Sequence, residues 1–282
     1  MHTTPRAAPG SSPKRRIGRT CMRGAKVRLN QLDLWCLEGV AKFRFLPTDQ
    51  FVPLYFNHAP HYAVKRLRRL VDAGLLRVFV RTLAEVNIYA ITREGIRRLE
   101  QAGIALPQGT KAPGALDGNL DHTLAINAVR CAMAKGLQTI AGELSWWSSD
   151  WELTRKRKSS LAPDALFCIQ WDWGGEQVYV LELENATRSP RAFAKKIVKY
   201  KTLRAQSGGI MGYANVIVLV VGARPRQLKR YREVAQVWNP TPWMWFADAR
   251  SLTPEGLSAL IWQPPDRSEN LSLRDLSYLS LP

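Results

Sequence analysis

The chain has 282 residues and a net charge of +18, from 41 Lys plus Arg against 23 Asp plus Glu. That length allows one large domain or two ordinary ones with full cores, and charge of this sign predicts a polyanionic partner without dictating a fold. No run of about 18 apolar residues spans a membrane, no apolar core follows the basic N-terminus as in a signal peptide, and the four scattered cysteines form no CxxC pair, so a structural zinc site, a disulfide framework and secretion are disfavoured and a cytoplasmic location is expected.

Residues 1–29 carry eight Lys and Arg, from Arg6 to Arg28, with no acid and several Pro, Gly and Ser. Such a segment buries too little apolar surface to fold alone. It is expected to be a disordered basic arm, either gripping phosphate or merely solvated.

Residues 30–104 predict a compact DNA-binding unit. Leu32, Leu34, Trp35 and Leu37 open a helix, Thr48 is the expected N-cap of a short second one, and Phe51, Leu54 and Tyr55 give that helix its apolar side. From His61 to Ala73, Ala63, Leu67, Leu70 and Val71 share one face while Lys65, Arg66, Arg68 and Arg69 make the other basic. Gly74 closes this helix, because glycine adopts the left-handed conformation cheaply. Two extended runs follow, Leu75 to Thr82 and Val86 to Ile91, turned near Ala84 and Glu85; then Thr92 caps a helix that Gly103 ends. Three helices, a hairpin and a trailing helix predict a winged helix-turn-helix, whose third helix reads the groove. Arg66 and Arg69 are its foremost expected DNA contacts.

Residues 105–120 are rich in Gly and Pro and lack periodicity, which predicts a linker that lets two domains move. Residues 121–282 read as an α/β domain around one sheet. A helix runs from His122 to Lys135, an extended stretch holds Glu143, and the basic run Arg155, Lys156, Arg157 and Lys158 is suited to phosphate. Ala165 to Trp171 and Gln177 to Leu183 predict neighbouring strands, Arg191 to Ala205 a basic helix, Ala214 to Val221 a buried strand, Pro225 to Val237 a helix and Trp243 to Phe246 a last strand. The overall class is therefore α/β (α+β).

Acid placement carries the candidate chemistry. Asp164 precedes one strand, and Glu182 and Glu184, two apart on the next, point to one face. Hard oxygen ligands gathered this way suit Mg²⁺ or Mn²⁺, which activates water and clamps a scissile phosphate. The competing structural role is pairing with cations, for instance Glu184 with Lys195 or Lys196. Glu182 is the more telling residue, since an unpaired carboxylate between Leu181 and Leu183 would be costly. His122 fits a helix cap or a satisfied core histidine, with approach to the acids as the alternative. Tyr200 is a poor relaxase-like nucleophile, because only four histidines are present and no three-histidine cluster accompanies it.

The pieces TDQFVPLYF, AVKRLRRLVDAGLL, IYAITREGIRRLE, DHTLAINAVR, LAPDALF, VYVLELENAT and KKIVKY resemble the replication-relaxation family of plasmids and other mobile elements. The resemblance implies a winged helix that binds origin or transfer-region DNA, followed by a domain similar to PD-(D/E)xK nucleases. In that pattern Glu143 matches the early acid, Asp164 the Asp and Glu182 the second Glu, so these three would be the metal ligands. The lysine position holds Glu184, and Lys196 or Lys199 on the next helix is expected to take over charge stabilisation.

The preferred reading is a protein of a mobile element that binds double-stranded DNA, with metal-dependent phosphodiester hydrolysis in its second domain. Arg191, Lys195 and Lys199 would add backbone contacts. Two readings compete: a catalytically inactive accessory that recruits a replication, relaxase or transposition partner, and a winged-helix transcriptional regulator. The discriminating observation is whether Glu143, Asp164 and Glu182 converge.

Overall fold

A computed structural model describes residues 28–79, 86–115, 119–153, 161–184, 189–238, 243–266 and 269–279. The N-terminal basic arm up to residue 27, the turn at Ala84 and Glu85 and the run Arg155 to Lys158 lie outside the described residues. Helices are interspersed with the strands of two separate sheets, a mixture that makes the fold α+β.

Helix α1 (Gln31–Phe43) starts at a reciprocal cap: Asn30 accepts from the Asp33 amide, and the Asp33 carboxylate accepts from the Asn30 amide, both at 3.0 Å. Strand β1 (Leu46–Pro47) leads directly into α2 (Thr48–Tyr55). Thr48 is not the cap expected from sequence; Pro47 holds that position, and the Thr48 hydroxyl donates instead to the Asn87 carbonyl at 3.2 Å, tying the helix to the next sheet strand. Helix α3 (Pro60–Asp72) opens with a proline, whose missing N–H costs nothing there. It gives way to Gly74 at φ 71°, where a side chain would be strained.

Strands β2 (Leu76–Phe79) and β3 (Ile88–Ile91) pair antiparallel, and β1 adds to the other side of β3. Helix α4 (Arg93–Gln101) is capped by Thr92, whose hydroxyl accepts from the Gly95 amide, as the sequence indicates. Leu37, Val40, Phe51, Leu67, Leu70 and Leu99 meet beneath these elements in one core.

In the second unit, α5 (Leu120–Gly136) precedes β4 (Gly142–Ser149), the short α6 (Asp150–Leu153), β5 (Ala165–Trp171) and β6 (Glu176–Glu184). Then α7 (Pro190–Arg204), β7 (Val216–Gly222), α8 (Pro225–Trp238), β8 (Met244–Asp248) and α9 (Leu273–Leu279) follow. The five strands order β4-β5-β6-β7-β8, antiparallel through β6 and parallel from β6 to β8. Strand β7 is apolar and buried throughout, as a central parallel strand covered on both faces must be. Helices α5 and α9 cover one sheet face. Helices α7 and α8 cover the other, packing Phe193, Ile197, Leu228 and Tyr231 over Val180, Val218 and Val220.

The linker's length does not leave the two units apart. Asn127 of α5, 1% exposed, donates to the Phe43 and Phe45 carbonyls at 3.1 and 2.6 Å. Arg130 donates to the Lys42 carbonyl at 3.0 Å and lies over the rings of Phe43 and Trp147, one from each unit. The linker itself is held where Arg77 donates to the Gly114 carbonyl at 2.7 Å. No helix among the described residues is long and apolar enough to cross a membrane.

Candidate functional site

The β5–β6 ladder opposes Ala165 to Leu181, so Asp164, one residue earlier, falls beside Glu182 at the same end of the sheet. The Asp164 amide donates to the Leu181 carbonyl at 3.1 Å, and the Leu183 amide returns a 2.7 Å bond to the Asp164 carboxylate. The other Asp164 oxygen meets His122 Nε2 at 2.9 Å. That bond raises the His122 pKa, with burial pulling the other way.

Glu182 is 1% exposed and turned toward α7. Lys196 and Tyr200, four apart and therefore on one side of that helix, donate to its two oxygens. Burial pushes the Glu182 carboxyl up to about 7; Lys196 opposes this, and the neighbouring Asp164 adds to it. Asp150 stands next to the pair, its amide donating to the Asp164 carbonyl at 2.9 Å, and burial raises its carboxyl. A cleft of about 150 Å³ opens here, lined by His122, Asp150, Asp164, Leu161, Asn119 and Met211. Clustered titratable groups with shifted pKa values beside a cleft have the character of a functional site.

Glu143 does not belong to this cluster. In the β4–β5 register it faces Gln170, whereas the residue beside Asp164 is paired with Ser149, so Glu143 sits exposed at the opposite end of the strand. At the rise of an extended chain that separation is about 20 Å. The antiparallel direction of β4, invisible in the residue pattern, removes it. Glu184 is buried on the same face as Glu182, registered with Gly222 of β7. Lys196 reaches Glu182, and Lys195, Lys199 and Arg191 face solvent.

The first unit needs one correction. Arg66 is not on the solvent side of α3: its guanidinium grips Asp33 of α1 through two bonds of 2.5 and 2.6 Å, with both side chains largely buried. An acid in the first turn of α1 thus neutralises it and pins the two helices together. Lys65, Arg68 and Arg69 remain exposed, accompanied by His61 and Tyr62.

A divalent ion needs open carboxylate oxygens, and those of Asp164 and Glu182 are engaged. Both Asp164 oxygens accept a donor, both Glu182 oxygens do so in a sealed position, and Glu143 is remote. Among the described residues no group of three or more His, Cys, Asp or Glu is placed to hold a metal. As arranged, Glu143, Asp164 and Glu182 do not assemble into the three-acid Mg²⁺ or Mn²⁺ site expected from the sequence. His122, Asp150 and Tyr200 complete the cluster instead. The spacing of Tyr200 from Lys196 was the legible signal for one of them, while the contacts of His122 and Asp150 depend on tertiary packing.

No curated protein and no solved structure matches the chain. A family model described as replication-relaxation matches residues 37–220, from within α1 into β7, and so takes in α3 as well as Asp164, Glu182 and Lys196. A match over that much of the sequence establishes that the chain belongs to the replication-relaxation family.

Proposed function

We propose that this protein binds double-stranded DNA of a plasmid or other mobile element during its replication or relaxation, and that its second unit serves as a non-catalytic platform. The order α1, β1, α2, α3, β2, β3, with a three-stranded antiparallel sheet, supports reading the first unit as a winged helix-turn-helix. The observation that carries the proposal is the outer face of α3. Lys65, Arg68 and Arg69 are exposed along it while Ala63, Leu67 and Leu70 are fully buried behind it. Arg68 lies 4.0 Å from Asp72, with both side chains largely in solvent, a pairing too weak to withhold the arginine from phosphate.

The succession of α5, the antiparallel strands β4, β5 and β6, α7 and the parallel strand β7, with the short α6 between β4 and β5, supports reading the second unit as nuclease-like. Its Asp164 and Glu182 are matched by His122, Lys196, Tyr200 and the Leu183 amide. Such a cluster stabilises the sheet end and keeps two carboxylates from repelling a phosphate backbone. Recruitment of a replication, relaxase or transposition protein to the bound DNA is the corresponding role.

Phosphodiester hydrolysis with Mg²⁺ or Mn²⁺ is the second reading, favoured by the convergence of Asp164, Glu182 and Lys196 at one sheet end beside a cleft. Incubating supercoiled plasmid with the wild-type protein and with Asp164→Ala, in either metal, separates the two. The platform reading expects bound but intact plasmid with both proteins. Metal-dependent nicking by the wild type, lost in Asp164→Ala, would replace it with the nuclease reading.

A further inference from the structure

Strands β6 and β7 run parallel, with Glu184 registered against Gly222. Helix α7 starts shortly after the first strand and α8 shortly after the second, so both helices leave the sheet at the end that holds Asp164 and Glu182. They pack against each other, the rings of Phe193 and Tyr231 stacking at 4.4 Å, and turn their apolar sides to the sheet. Their outward sides are cationic. Arg191 and Lys195 on α7 are exposed, as are Arg224, Arg226, Lys229 and Arg230 at and after the start of α8. Glu233 is the single acid on either helix.

Charge bookkeeping at this end is lopsided. The buried Glu182 is matched by Lys196 and Asp164 is bonded by His122, so neither of these two acids draws on the cations of the rim. A dense, solvent-exposed field of one sign, on two helices held rigidly side by side, is the electrostatic footprint of a phosphate backbone.

We infer that α7 and α8 form a second nucleic-acid surface, in which Arg224 and Arg226 seat the phosphate backbone next to the Asp164 and Glu182 cluster and Lys229 and Arg230 continue the track along α8. The inference rests on the DNA-binding reading and adds to it a surface of the second unit, distinct from α3. The exposed apolar residues of α8, Val237 and Trp238, lie at its other end and do not interrupt the cationic rim.

The test compares the full-length wild type with Arg224→Ala/Arg226→Ala, with its Lys/Lys counterpart, and with Lys65→Ala/Arg69→Ala on α3. Binding to a mixed-sequence duplex is measured across a salt series, with thermal melting to check that each variant folds. Two lost phosphate contacts make the log–log salt dependence shallower by about two, so the α8 alanine pair is expected to bind more weakly with that reduced slope, and the lysine pair to recover it. An α8 alanine pair with wild-type affinity and slope, while the α3 pair is weakened, overturns the inference and leaves DNA binding intact. A wild type that fails to bind duplex defeats the underlying reading. Binding of the same face to phosphatidylserine vesicles but not to duplex overturns the inference in favour of a lipid surface.

Discussion

Asp33 and Arg66 show how one contact redistributes roles. The sequence presents Arg66 as one of a row of α3 cations, and the helical period alone cannot say which of them turns inward at the edge of the apolar face. The acid that claims it lies on α1, already engaged in a cap, and the pairing appears only when the two helices cross. Glu182 was legible for the opposite reason: an acid between Leu181 and Leu183 on a buried strand must find donors, and Lys196 and Tyr200 supply them. Its carboxyl is pushed up to about 7 from 4.5, so the folded chain keeps a proton that the unfolded chain has lost across that window. The stability this group contributes is therefore complete below pH 4.5 and declines as pH rises to about 7. His122 acts in the same direction, its share being present below 6.5 and lost as pH climbs through its raised value. Urea midpoints measured from pH 4.5 to 8 should fall with rising pH, and Glu182→Gln should flatten the lower part of that fall. An unchanged profile in the variant would mean that Glu182 does not titrate in this range.

At the scale of elements, helix α5 does more than its sequence suggests. Its apolar positions predict a core helix, yet Asn127 and Arg130 reach across to carbonyls of the first unit. Asn127→Leu withdraws both donors from buried carbonyls, a loss of about 1–3 kcal/mol. Thermal melting should register it, and limited proteolysis should become faster within residues 105–120 if the two units part. Wild-type melting and cleavage would show that other contacts hold the units together. The strands divide along a physical line. Strand β7 was readable because a strand buried on both faces is continuously apolar, and α3 because its period is regular. Glu143 was misplaced because its strand runs antiparallel to β5, and register between distant segments leaves no mark in a single sequence. Helix α9, whose Leu273 and Leu276 are fully buried against the α5 side of the sheet, is seven residues long and carries too little periodicity to announce itself.

Across the whole molecule, the excess of positive charge has two principal outlets among the described residues. One is the outer face of α3, and the other is the paired helices α7 and α8. Near the second outlet Asp164 and Glu182 are matched by His122 and Lys196, which limits their repulsion of phosphate in a chain of net charge +18. The replication-relaxation match extends over α3 and α7 and stops before α8. The most direct test of DNA engagement through α3 is the affinity of the wild type and of Lys65→Ala/Arg69→Ala for duplex DNA as salt is raised. The account predicts a steep, linear loss on logarithmic axes for the wild type and a slope shallower by about two for the variant. Affinity that stays level between low and moderate salt, or a variant indistinguishable from the wild type, would contradict it.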